Sequence, residues 1–376
     1  MSWKASRACT SVAARKRGIE PVRRGESSRI GSSRVIEIDG SYGEGGGQLV
    51  RTAVALSAVT GKAIRIVKAR VKRGNPGLAP QHLAAVRAVA EICAADTEGL
   101  ELRTVSFTFS PRRLKGGTFR FDIGTAGSIT LVLQALIPAL LASREPARVV
   151  VTGGTDIWQA PPADYLSEVM ARHLARMGAR LQFSIARRGY YPRGGGEIAV
   201  EVFPAALRPM RLPAPGALRG LEGTAHVANL PAHIAERMRS AVLAGLGPFA
   251  QGARIATRVL GNADAIGRGG SVTAWAETDH SVLGAARVAR IGVRAETLGE
   301  TVGRELRADL EAGASADVHA ADQLLVYLAL AGGESWFTAR ELSSHAETAM
   351  WLIGRFLPVR FTAERAGGLC RIGVAR

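Results

Sequence analysis

Residues 39–51 read DGSYGEGGGQLVR, with five glycines (Gly40, Gly43, Gly45, Gly46 and Gly47) set around one carboxylate, Glu44. A glycine-rich loop between strand and helix lets backbone N–H groups approach a phosphate, and the helix start that follows favours an anion. Arg51, in the first turns of that helix, can add a two-pronged contact. Glu44 alone would repel phosphate, and its presence makes sense if a divalent cation lies between the carboxylate and the phosphate oxygens. The pattern is neither GxxxxGK[ST] nor GxGxxG, so a plain packing turn stays open as an alternative. His345 is the second candidate for chemistry, because it follows Ser343 and Ser344, both good N-cap residues, and so falls in the first turn of a helix. There the helix dipole favours the neutral, nucleophilic imidazole, which beside arginines and a metal-bound phosphate can attack phosphorus and form a phosphoramidate. From spacing alone a structural histidine is the competing reading.

The elements that must position these residues follow from periodicity. An apolar strand at 35–38, the glycine loop and an apolar helix ending at Gly61 are followed by a basic strand at 63–74 carrying Arg70 and Arg73. NPGLAPQHL then opens a helix with Gln81 and His82, and two strands near 101–109 and 117–122 close the unit. The pattern returns with a glycine loop and helix at 124–142, a strand and turn at 147–156, a helix at 160–178 and strands near 180–185 and 196–202. It returns again with helices at 321–333 and 343–357 around the strand SWFTA. Residues 213–313 do not fit it. They hold their own strand, a helix at 232–246 and a long helix at 294–312, and read as an inserted domain.

Each copy carries polar residues at its helix starts. The first has Glu44, Gln48, Arg51, Arg70, Arg73, Gln81 and His82, the second Gln134 and Asp164, and the third His319, Asp322, His345 and Thr348. If the copies pack about a pseudo-threefold axis, these starts converge on one anion-binding centre. Blander readings stand beside this one. Arg65, Lys68 and Lys72 fit the solvated face of an edge strand, Gln134 a satisfied group in a buried helix, His82 a cap, and His173 a surface position. His226, His233 and His280 have no partner motif and receive no chemistry.

Composition narrows the classes. The 376 residues are 47% hydrophobic and 22% charged, with net charge +17. This suits a globular protein of about two domains with a polyanionic partner such as nucleic acid. Residues 1–34 hold nine basic and two acidic residues and no apolar core, and read as a disordered basic extension or a start codon placed too far upstream. The longest apolar stretch, 129–142, is too short and too broken to span a bilayer. Three scattered cysteines, Cys9, Cys93 and Cys370, suggest a reducing, cytoplasmic location and no disulfide framework.

The ordered motifs DGSYGEGGGQLVRTA, ARVKRGNPGLAPQHL, GTAGSITLVLQALIPAL, VTGGTDIWQAPPADY, GYYPRGGGE, HAADQLLVYLALAGG, SSHAETA and FLPVRF span the chain from about residue 35 to its end. In this the sequence resembles the RNA 3′-terminal phosphate cyclases. The resemblance implies an α/β fold of three βαβαββ repeats (35–212 and 314–376) with a small α/β domain (213–313) inserted before the third. It implies conversion of an RNA 3′-phosphate to a 2′,3′-cyclic phosphate, using ATP and a divalent metal, Mg or Mn, through a histidine–AMP intermediate. His345 matches the nucleophile and Glu44 the metal ligand. Arg51, Arg70, Arg73, Gln81, His82, Gln134 and Asp322 match positions around the phosphates and the reaction centre. Pro161 and His319 fall where the family sandwiches adenine, the second being tyrosine in some members. The basic extension is additional, and the insert matches least. Cyclase-like proteins of ribosome biogenesis keep the fold without the histidine, so His345 with Glu44 argues against a non-catalytic RNA-binding protein. Enolpyruvyl transferases share the repeat, but the shortage of lysine after Lys115 speaks against them.

Overall fold

The computed structural model describes residues 35–376, and the expectations for residues 1–34 lie outside that range. Three mixed sheets, one antiparallel sheet and the helices between them make up the expected α/β architecture. The first sheet, ordered β1-β2-β4-β3, is formed by β1 (Ile36–Asp39), β2 (Ile64–Val67), β3 (Asp96–Glu98) and β4 (Phe107–Ser110), with α1 (Gly47–Thr60) and α2 (Pro80–Ile92) as crossovers. β1 and β2 run parallel, and the pairs to β4 are antiparallel. The second sheet takes the same order from β5 (Gly117–Asp122), β6 (Ala147–Gly153), β7 (Arg180–Gly189) and β8 (Gly196–Phe203), as β5-β6-β8-β7. Between its strands run α3 (Ile129–Leu141) and a helix in pieces, α4 (Ala163–Tyr165), a π-helical turn (Leu166–Met170) and α5 (Ala171–Arg176).

Three strands follow with α6 (Ala232–Leu246) after the first of them: β9 (Leu218–Ala228), β10 (Arg254–Leu260) and the short β11 (Ala265–Ile266), the last extending the second sheet beside β7. β12 (Gly269–Thr278), β13 (Val282–Val288) and α7 (Ala295–Ala312) complete this stretch, whose sheet is ordered β10-β9-β12-β13. It has its own core, in which Val227, Met238, Val242, Leu246, Val302 and Leu306 are fully buried. The chain ends with α8 (Val318–Ala331), β14 (Ser335–Ala339), α9 (Ser344–Phe356), β15 (Arg360–Ala366) and β16 (Leu369–Ala375). Their sheet, β14-β16-β15, receives residues 210–212 along its open edge. The Trp336 N–H donates to the Met210 carbonyl (3.0 Å) and the Leu212 N–H to the Trp336 carbonyl (2.9 Å). Residues 210–212 are therefore an edge strand in miniature.

α3 is buried on nearly every side, as its apolar run dictates, and each buried Leu, Ile or Val there contributes roughly 1.5–3 kcal/mol of apolar transfer. Pro138 lies inside it and has no N–H to offer the Gln134 carbonyl. No helix of the described residues is long and apolar enough to cross a membrane.

Three local expectations need correction. The strand over 63–74 stops at Val67, because Lys68 and Arg70 take positive φ (53° and 57°) and turn the chain, so Arg70 and Arg73 lie on a loop. Residues 117–122 open the second sheet and do not close the first, since Pro111, Gly116 and Gly117 intervene after β4. His173, expected at the surface, is fully buried. The Val282 backbone of β13 lies against it, which the local sequence does not show. At Gly284 the missing side chain admits Val169 and Tyr165, whose atoms lie 2.4 and 3.2 Å from where a Cβ would stand.

Candidate active site

α1 begins without a side-chain cap: Gly46 is its N-cap and nothing accepts from the first-turn N–H groups through a side chain. Two glycines let other side chains reach this point. A Cβ at Gly47 would stand 2.1 Å from His82 Nε2 and 3.0 Å from Arg51 Nη1, and one at Gly43 (φ +56°) would stand 2.2 Å from Thr348 Oγ1. The glycine loop is thus pressed between α2 on one side and α9 on the other.

Arg51 is buried, and burial together with the neighbouring Arg70 lowers its pKa to about 10. Neither Arg51 Nε nor Arg70 Nε has a hydrogen-bond partner among the described residues. Arg70 Nη1 donates to the carbonyl of Asn75 (3.0 Å) and to that of Gly77 (2.5 Å), which fixes the loop that presents it. Burial, then Arg51 and Arg70, push His82 down to about 3, so its ring is neutral, and its Nδ1 accepts from the Ala79 N–H (3.2 Å). Two partly unsatisfied guanidinium groups beside an uncapped helix start, with no carboxylate of the described residues paired to either, form a receptor for an anion.

Against this receptor stands Glu44. Its Oε2 lies 2.8 Å from His345 Nδ1 and 3.2 Å from Arg73 Nη2, and its Oε1 accepts from Ser344 Oγ (2.8 Å). The hydrogen bond from His345 first, then that from Ser344 and the charge of Arg73, hold Glu44 down to about 2 against the opposing effect of burial. With Nδ1–H directed at the carboxylate, the lone pair of His345 is on Nε2, facing away. α9 starts one residue before this histidine because Ser343 caps it, its Oγ accepting from the Ala346 N–H (3.0 Å). The same hydroxyl donates to Asp322 Oδ1. Burial pushes Asp322 up to about 6 despite that bond, within electrostatic reach of His345, His319 and Glu44.

The remaining expected residues join the same region. Gln81 Oε1 accepts from the Ser128 N–H at the start of α3 (3.0 Å). Gln134 Nε2 donates to Gln323 Oε1 (2.6 Å), and Gln323 in turn donates to the His319 carbonyl (3.1 Å). Pro161 is held by Thr130, whose hydroxyl donates to its carbonyl (2.7 Å). His319 is exposed at the start of α8, edge-on to Tyr165 at 6.4 Å between ring centroids. Sequence reasoning passed over Ser128, Gln323, Tyr165 and Asp317. Asp317 caps α8, accepts from Tyr165 Oη (2.7 Å) and takes the Gly284 N–H (3.0 Å). Its N-cap place before an apolar helix was the available signal.

His226 was assigned no partner, and here the structure differs. Its ring lies 3.8 Å from Asp156 Oδ1 and 3.6 Å from Asp164 Oδ2, in a buried group closed by Arg188 and Ser271. Those three residues place ligand atoms within 4.8 Å of one another, but Arg188 already bridges both carboxylates (3.0 and 2.6 Å), so the cluster reads as an ion-pair network.

The model of the RNA 3′-terminal phosphate cyclase family matches residues 42–363. The chain belongs to this family. A relative from Nitrosospira multiformis, named RNA 3′-terminal phosphate cyclase, is 52% identical over 337 residues, covering 89% of this chain and 95% of the relative. Another of that name from Pyrobaculum neutrophilum is 45% identical over 334 residues, covering 88% and 96%. Membership makes the chain an enzyme of the cyclase class. Among solved structures, the enolpyruvyl transferase NikO from Streptomyces tendae is similar at a TM-score of 0.35 and 12% identity, covering 92% of this chain and 50% of that one, a likeness that decides nothing about activity.

Proposed function

We propose that this cyclase converts an RNA 3′-terminal phosphate to a 2′,3′-cyclic phosphate through a covalent histidine–AMP intermediate. The observation that supports this most is the pairing of His345 Nδ1 with Glu44 at 2.8 Å beside two guanidinium groups that lack carboxylate partners. Glu44 orients the ring and leaves Nε2 free to attack the ATP α-phosphorus. The N–P bond forms, pyrophosphate leaves, and Arg51, Arg70 and Arg73 offset the charge that develops. An oxygen of the RNA 3′-phosphate then displaces histidine from the AMP phosphorus. The neighbouring 2′-hydroxyl finally attacks the 3′-phosphorus and expels AMP, helped by the high effective concentration of an intramolecular nucleophile. The need for that hydroxyl selects ribose at the last nucleotide. Adenine sits between Pro161 and His319 in this reading, with His319 a smaller stacking surface than tyrosine.

Glu44, a partly exposed carboxylate at the mouth of the anion receptor, would offer a divalent cation an oxygen in exchange for its contact with Arg73 or Ser344, the other ligands coming from phosphate oxygens and water. Bound, it would neutralise charge on the phosphates. The chain's division at residues 213 and 313 belongs to the same reading, with the three-repeat body supplying every residue named above.

Incubation with α-labelled ATP and Mg or Mn, followed by denaturing electrophoresis, tests the reading. The wild type is expected to carry an acid-labile, base-stable label that His345→Ala loses entirely while its thermal transition is kept. Label retained by His345→Ala removes the nucleophile assignment.

A further inference from the structure

Two motifs lie next to this site, GTDIWQAPP at 154–162 before α4, of which only Pro161 has a part in the reading above, and GYYPRGGGE at 189–197 at the β7–β8 turn, which has none. Each puts a large aromatic side chain into solvent. Trp158 is 52% exposed and Tyr191 77%, an unfavourable placement for such apolar area unless something covers it. Both are carried on pinned backbone. The turn at 157–160 is closed by the Ala160 N–H on the Ile157 carbonyl (3.1 Å), and the Tyr191 turn by the Gly194 N–H on the Tyr190 carbonyl (2.8 Å). The two loops share one anchor, since the Thr155 N–H donates to the Gly189 carbonyl (2.9 Å).

Both also abut the active site. Trp158 is three residues before Pro161. On the other side, Gly194 packs on Ala126, whose Cα would stand 2.8 Å from a Cβ there, and Gly127 packs equally closely on Gln81. Arginines flank both aromatics. Arg290, from the loop after β13, lies over the Trp158 ring at 3.8 Å, and Arg193 runs along Gly267, next to Arg268. Arg193, Arg268 and Arg290 are exposed and make no ion pair among the described residues, whereas Arg172, Arg219, Arg237 and Arg254 in the same half of the molecule are each paired. Exposed aromatic faces interleaved with unpaired arginines suit single-stranded nucleic acid, with rings to stack bases and guanidinium groups to follow phosphates.

Resting on the function proposed above, we infer that Trp158, Tyr191, Arg193, Arg268 and Arg290 form the track that holds the unpaired RNA nucleotides upstream of the reacting 3′-phosphate. Trp158 and Tyr191 stack bases, and the arginines make sequence-independent phosphate contacts. The inserted segment thereby takes part in substrate binding through Arg268 and Arg290.

Full-length protein is titrated with 3′-phosphorylated oligoribonucleotides of two and of about eight nucleotides, a length within the span such tracks cover. The wild type is expected to bind the longer RNA more tightly. Trp158→Ala and Tyr191→Ala are each expected to weaken the longer RNA by on the order of tenfold, leave the dinucleotide unchanged, and be rescued by Trp158→Phe and Tyr191→Phe. Arg193→Ala and Arg290→Ala are expected to lower the slope of log affinity against log salt by about one each. Labelling by ATP without RNA separates the two ideas. If the wild type labels on His345 but the variants bind both RNAs as it does, the track is wrong and the cyclase reading stands. If both lengths are weakened equally, the residues support the fold and the track is again wrong. A wild type that takes no label overturns the cyclase reading and the track with it.

Discussion

His173 and His82 are held neutral by burial, and that has a consequence for acid stability. Burial, with Asp317 and a Val282 backbone contact opposing it, lowers His173 to about 4. Its unfolded value is near 6.5, so between those values the unfolded chain binds the proton and the folded chain does not, and stability falls as pH falls through this window. The contribution is complete above pH 6.5, and by pH 4 its loss amounts to roughly 3 kcal/mol. Urea midpoints measured from pH 7 to pH 4 are expected to fall in the wild type and to fall less steeply in His173→Gln; parallel curves would contradict the assignment. At the glycine loop the expectation is kinetic. Gly47→Ala would drive its Cβ into His82 Nε2 and against Arg51, and a shift of the phosphate receptor by about 1 Å costs on the order of a hundredfold in rate. The adenylylation rate of Gly47→Ala is the measurement, and a change under threefold would mean that the loop does not set the reacting geometry.

α9 shows how one element joins local capping to chemistry. Ser343 fixes the first turn that carries His345 and Ser344, and its hydroxyl also engages Asp322. Ser343→Ala is expected to lose about 1 kcal/mol in chemical denaturation and to slow adenylylation about tenfold as the turn frays, with Ser343→Thr restoring most of both. That cap was legible in the sequence, as were the glycine loop and the presence of the helices, because these features are local and are written in residue type; the start of α8 was not, since its helix begins at Val318 behind the Asp317 cap and not at residue 321. Much of what was not legible depends on neighbours distant in the chain. The buried state of His173 follows from a strand that arrives a hundred residues later. The bend after Val67 is local, but it rests on positive φ at Lys68 and Arg70, which neither residue type announces. Periodicity also cannot tell which sheet a strand enters, so 117–122 was placed with the wrong one. The site residues could be listed from the resemblance, but the pairing of Glu44 with His345 bridges 301 positions and needed coordinates.

Across the molecule, two hydrophobic cores meet at one buried ion-pair network. Arg188 ends β7 and binds Asp156, after β6, and Asp164, on α4, while His226 of β9 and Ser271 of β12 reach the same carboxylates from the other core. Burial works to raise the Asp156 carboxyl, but Arg188 and then His226 reverse that and hold it below its usual range. Removing the cation leaves two carboxylates without compensation in a site closed to water, so Arg188→Ala is expected to cost about 3–5 kcal/mol. The network is one of the contacts that join the two parts, beside the packing of Gly284 on Val169 and Tyr165. Urea unfolding of Arg188→Ala followed by tryptophan fluorescence and far-ultraviolet circular dichroism is expected to split into two transitions where the wild type shows one. Pro161 lies between Asp156 and Asp164 on the same segment, so the variant should also bind ATP more weakly at temperatures where it remains folded. A single cooperative transition with unchanged ATP affinity would place the coupling elsewhere, most plainly at Asp317, which caps α8 and takes the Gly284 N–H of β13.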